Sequence, residues 1–115
     1  SLIATLQELT PVAVVGVAAD EQAALQWLSD PMHEASLVIV DIFLRSGSGL
    51  GVLRAARNTP KRHMVVLSNY ATADIRSTCL ALGAEHVFDK STEIDALILY
   101  CQTLAATGKR PVLAS

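Results

Sequence analysis

Leu37-Val38-Ile39-Val40-Asp41 decides the fold: a short, unbroken apolar run that ends on a carboxylate. A run this short and this rich in β-branched residues suits a strand covered on both faces. Two later stretches repeat the arrangement. Met64-Val65-Val66-Leu67 ends on Ser68, and His86-Val87-Phe88-Asp89 ends on Lys90. In an open parallel sheet the carboxyl ends of the strands share one edge, and ligands bind there. A carboxylate, a hydroxyl and an ammonium are therefore expected to converge on one small pocket.

Outward from that run, apolar and amphipathic stretches alternate. Leu2-Ile3, Leu6 and Leu9 mark one face of a helix that stops at Thr10-Pro11, because proline cannot continue it. Val12 to Ala19 is almost wholly apolar and reads as a strand covered on both faces. Asp20 caps a helix carrying Ala23, Ala24, Trp27 and Leu28, with Pro31 just beyond it. After Asp41, the loop Arg45-Ser46-Gly47-Ser48-Gly49 leads into a helix from Leu50 to about Asn58. A helix from Thr72 to about Leu82 closes on Gly83, and the last runs from Glu93 to about Ala106. The tail, Gly108-Lys109-Arg110-Pro111, reads as loose.

This order predicts a single α/β domain over residues 1–115, an open parallel sheet with helices on both faces. Right-handed crossovers would put all the strand ends on one edge. With 51% apolar and 17% charged residues the chain can bury a real core, which excludes extensive disorder. A net charge of −2 without a basic stripe argues against direct nucleic-acid binding. No apolar stretch approaches the roughly 20 residues of a membrane span, and the start lacks the marks of a secretory signal. Cys79 and Cys101 read as small buried hydrophobes in a reducing cytoplasm. His33, His63 and His86 read as surface polar groups near element ends, and Trp27 as a core or helix-packing residue, not a stacking platform. Gly47 and Gly49, without a P-loop lysine, read as a loop and helix-start device.

The chain resembles a response-regulator receiver domain, the phosphoacceptor half of two-component signalling. The resemblance rests on residues in register: Asp41, then Gly49 eight positions on, Ser68 after 27, Lys90 after a further 22, and Leu82-Gly83-Ala84 before the last strand. It implies a flavodoxin-like strand order, a phosphoacceptor at Asp41, a phosphoryl-binding hydroxyl at Ser68 and a charge partner at Lys90. It also implies Mg²⁺, held by Asp41, by the backbone carbonyl of Phe43 and by an acidic pair after the first strand.

That acidic pair is absent, because the chain opens on what resembles the family's first helix. Four strands are expected instead of five. Three explanations stay open: a truncated chain, a receiver acting by binding alone, or a second copy supplying the missing face. Unpaired backbone groups in a central slot are costly if buried. Val12–Ala19 is therefore expected beside Leu37–Val40, or two chains pair there. Arg45 and Ser91 stand where the family favours proline, and Val87 where it often carries an aromatic. Phe43 and Tyr70 are bulky enough to shield an acyl phosphate.

The expected function is a receiver switched by phosphorylation of Asp41 by a sensor histidine kinase or phosphotransfer protein, with no enzyme activity of its own. The alternative is a phosphorylation-independent pseudo-receiver that serves as a protein–protein interaction module. A flavin-binding domain of the same topology is a distant third. A cytoplasmic protein is expected, with homodimerisation or strand exchange among its contacts.

Overall fold

The structure is a computed structural model that describes residues 2–42, 47–56 and 62–115. Helix α1 (Leu2–Leu9) precedes strand β1 (Ala13–Val17), and α2 (Glu21–Ser29) leads to β2 (Leu37–Asp41). Then follow α3 (Gly49–Ala56), β3 (His63–Ser68), α4 (Ala73–Ala81), β4 (His86–Asp89) and α5 (Ile94–Ala106). A last strand, β5 (Pro111–Ala114), closes the order. All strand pairs are parallel, and the sheet runs β1-β5-β2-β3-β4.

Local chemistry sets the helix ends. The Asp20 carboxylate accepts the Ala23 N–H at 2.8 Å, as its place before α2 predicts. Thr72 caps α4 through the Ile75 N–H. Gly83 takes a φ of +102° just past α4, where a side chain would be strained.

The period-2 alternation of the strands divides the core between two layers. Val38, Val40, Met64, Val66, Val87 and Leu113 face α2, α3 and α4. Leu37, Ile39, Val65, Leu67, Phe88 and Val112 face α1 and α5. Both cysteines are free and buried within these layers, Cys79 on one side and Cys101 on the other. Burial pushes the Cys101 thiol up to about 11.

Two expectations are corrected. The sheet has five strands where four were expected: Pro111, at the end of the stretch read as loose, opens a fifth strand, and that strand enters the slot beside β2. Leu37 pairs with Val112 and Ile39 with Ala114, while on its other side Ala13 pairs with Pro111 and Val17 with Ala114. The result is the flavodoxin-like arrangement, with the strand next to the centre drawn from the end of the chain instead of its beginning. Val12–Ala19 accordingly does not lie beside Leu37–Val40, and the slot is filled within one chain.

The first strand is also not covered on both faces. It is the sheet's outer edge, with Val15 48% and Val17 65% exposed. Its β-branched run reflects strand propensity rather than double burial. A register shift between Val14 and Gly16 marks a bulge there. Gly16 is required by Trp27, whose Nε1 would lie 2.5 Å from any Cβ at that position.

Candidate functional site

Asp41 ends β2, Ser68 ends β3 and Lys90 follows β4, so parallel pairing carries all three to one edge. Asp41 is in register with Leu67, and Ser68 with Asp89. The Lys90 ammonium donates to Asp41 Oδ2 at 2.5 Å, with both side chains about two-thirds to three-quarters covered. The Lys90 N–H donates to the Ser68 carbonyl at 2.9 Å, which ties β4's exit to β3's end. Ser68 is fully buried, and its Oγ accepts the Tyr70 N–H at 3.1 Å. Its hydroxyl proton remains available as a donor.

Gly49 makes the close approach of α3 to β2 feasible. A Cβ there would stand 2.2 Å from the Asp41 carbonyl oxygen, and the Gly49 N–H donates to Ile42 O. Gly47 sits at φ +79°, and the neighbouring Ser48 N–H is taken by Glu21 Oε1 at 2.8 Å. The loop amide thus already holds a carboxylate, which fits a structural role rather than a phosphate cradle. Phe43 and Arg45 lie outside the described residues. Tyr70, two residues beyond Ser68, is 66% exposed. A cavity of about 400 Å³, lined by Leu2, Thr5, Leu67, Lys90 and Ile94, opens beside the lysine.

Around this centre stands a second ring of bonds with no counterpart in any local sequence pattern. Arg76, on α4, donates to the carbonyls of Ala71 (3.0 Å) and Val87 (2.8 Å) and to Glu93 Oε1 at 2.5 Å. Glu93 also accepts the Asp89 N–H, and Arg76 beside it holds its carboxyl below the usual range. One guanidinium therefore joins the loop after Ser68, strand β4 and helix α5. Ser91, where proline is common, donates both its N–H and its hydroxyl to Asp89 Oδ1, lowering that carboxyl too.

The pattern of Asp41, Gly49, Ser68 and Lys90 at one sheet edge agrees with the sequence as a whole: residues 1–102 match the response regulator receiver domain. The chain belongs to that family. Solved structures repeat the fold. A response regulator from Burkholderia pseudomallei, with a phosphorylated aspartic acid, calcium ion and citrate, superposes with TM-score 0.63 at 22% identity, over 79% of this chain and 53% of that one. The phosphorylated cyanobacterial phytochrome response regulator RcpA gives 0.69 at 20% identity, over 89% and 81%. The receiver domain of NtrX from Brucella abortus gives 0.64 at 26%, over 78% and 76%. This chain spans about half the length of the Burkholderia protein. No curated protein sequence matches it.

As a metal site this receiver falls short. Mg²⁺ asks for near-octahedral oxygen ligands. Among the described residues no group of three or more His, Cys, Asp or Glu side chains gathers to hold an ion. At the place where the resemblance puts an acidic pair, β5 runs into Ser115, which donates its N–H to Ile39 O and accepts the Asp41 N–H at 3.0 Å. Its Oγ is buried and without a hydrogen-bond partner. The described residues do not fit a divalent ion.

Among the described residues no helix is long and apolar enough to cross a membrane. The histidines do more than decorate element ends. His33 stacks on Trp27 at 4.4 Å, His86 meets Tyr100 edge-on, and His63 Nδ1 lies 2.6 Å from Glu85 Oε1.

Proposed function

We propose that this receiver domain accepts a phosphoryl group on Asp41 from the phosphohistidine of a sensor kinase or phosphotransfer protein and passes the resulting change to a protein partner. The observation that carries the reading is the Lys90 ammonium 2.5 Å from the Asp41 carboxylate, with the Ser68 hydroxyl at the end of the adjoining strand. A carboxylate oxygen attacks phosphorus; the donor's P–N bond breaks as the P–O bond forms, and the leaving nitrogen takes up a proton from water. Charge grows on the equatorial oxygens during transfer, and Lys90 is the described cation positioned to meet it.

The acyl phosphate adds about 1.5 to 2 negative charges and new acceptor oxygens beside Ser68. The Ser68 hydroxyl then gains an acceptor stronger than any backbone group. Its bond to the Tyr70 N–H sets the start of the loop that Arg76 grips at Ala71, so a shift at Ser68 is transmitted to α4. No catalytic turnover of its own is part of the reading: the domain is the substrate of its kinase and the input of its partner.

The lack of a metal-ligand cluster among the described residues favours a second reading, a receiver scaffold that works by binding alone, without phosphate. Intact mass after incubation with a small-molecule phosphodonor, with and without Mg²⁺, separates the two. A gain of one phosphoryl group, absent in Asp41→Asn, supports phosphoacceptance. An unchanged mass under both conditions supports the binding module.

A further inference from the structure

We infer that the slot between β1 and β2 is a strand-binding groove whose second natural occupant is the Pro111–Ala114 segment of another copy of this chain, so that two copies exchange β5. The inference holds whether or not Asp41 takes phosphate.

The groove recognises its strand mainly through backbone bonds. On one side Ser36 N–H donates to Pro111 O, Ser115 N–H to Ile39 O and Asp41 N–H to Ser115 O. On the other, Ala13 N–H donates to Arg110 O and Ala18 N–H to Ala114 O. Two side chains anchor the strand, Val112 in the α1/α5 layer and Leu113 in the α2/α3/α4 layer, both fully buried. Among the described residues strand β1 has no sheet partner other than β5. An empty groove would thus leave β1 unattached and the edge of β2 unpaired, which is the condition that a strand from elsewhere relieves.

The occupant is settled by identity: the groove already accepts this segment, and the same segment of a second copy makes the same bonds. Only the hinge differs between the two arrangements. That hinge is residues 107–110, exposed throughout. It reverses the chain after α5 through Gly108 at φ +89°, and a Cβ there would have nothing within 4 Å. Closure within one chain therefore depends on a conformation that only glycine adopts easily, not on packing around the turn. The Thr107 hydroxyl and the Gly108 and Lys109 N–H groups bond only to the last turn of α5, and Lys109 Nζ lies 2.8 Å from His63 Nε2. Exchange also reaches the functional edge, because the carbonyl that accepts the Asp41 N–H would then come from the partner copy.

The test uses chains spanning residues 1–115. One copy carries Ala13→Cys and the other Pro111→Cys, positions in register across β1 and β5; the native thiols are buried. The two are equilibrated together at high concentration, oxidised and weighed. Expected is a disulfide joining the two different copies, more abundant than in either copy alone and increasing about tenfold when both also carry Gly108→Val, which disfavours the positive φ without a clash. The inference is overturned if a chain carrying both cysteines closes internally while the mixed pair never exceeds the single-variant background, with or without Gly108→Val. It is equally overturned if the double-cysteine chain closes neither internally nor between copies, because β5 then does not occupy the groove.

Discussion

Lys90 and Asp41, 49 residues apart in the chain, meet at 2.5 Å across the carboxyl edge of the sheet. Both side chains are about a third or less exposed, so the pair lies between a surface bridge and a buried one and is worth about 1 kcal/mol. Lys90→Met should lower the urea-derived stability by about that amount. It should also slow phosphoryl uptake by about tenfold or more, since charge opposite the transferring group is lost. Uptake at the wild-type rate in Lys90→Met would remove the lysine from the chemistry.

Gly49 has no room for a methyl group, with the Asp41 carbonyl oxygen 2.2 Å from the site of a Cβ. Gly49→Ala should cost about 2 to 3 kcal/mol, because the obstacle is backbone and cannot rotate away. The start of α3 or the end of β2 has to move, so Asp41 should shift with it. Chemical denaturation combined with the amide resonance of Asp41 checks both effects.

The C-terminal strand gives a direct contrast between a docked and a loose segment. Leu113 is fully buried, so Leu113→Ala should destabilise by about 3 kcal/mol. Val15→Thr, on the exposed side of the outer strand, should stay within about 0.5 kcal/mol. Equal, negligible effects from both would show that residues 111–114 do not dock in solution.

Acid sensitivity follows from two carboxylates. Glu85 is pushed up by partial burial, but its bonds from Tyr100 and His63 outweigh this and leave its pKa lowered; that of Glu93 is lowered chiefly by Arg76. A carboxyl whose pKa falls on folding contributes stability that is complete above its unfolded value, near 4.5 for both, and is lost as pH drops through the folded value. The urea midpoint should therefore decline below about pH 4.5. Glu93→Gln should start from a lower midpoint at neutral pH and decline less steeply.

Much of this was legible because it is written locally. Strand β2 and the residues that end β2, β3 and β4 could be placed from short apolar runs and their polar stops, and Asp20 from its position before an amphipathic stretch. What escaped depends on distant partners. Pro111-Val112-Leu113-Ala114 is too short, and opens on too poor a strand former, to announce a central strand. It is recruited by a vacancy elsewhere in the sheet. The exposure of Val15 and Val17 likewise follows from which strand became the edge. Arg76 on α4 and Glu93, the residue before α5, lie 17 positions apart, a spacing with no periodic meaning.

The position of β5 has a consequence for how the molecule is made. The residues that complete the interior of the sheet are synthesised after its four other strands. During translation β2, β3 and β4 can assemble as their helices emerge, but β1 must wait for a partner more than ninety residues downstream. Until that segment emerges, an apolar first strand and one side of β2 stay unpaired, the kind of surface that chaperones recognise and that aggregates when crowded. Nascent chains stalled before residue 111 should thus be far more sensitive to protease in residues 13–17 than released ones.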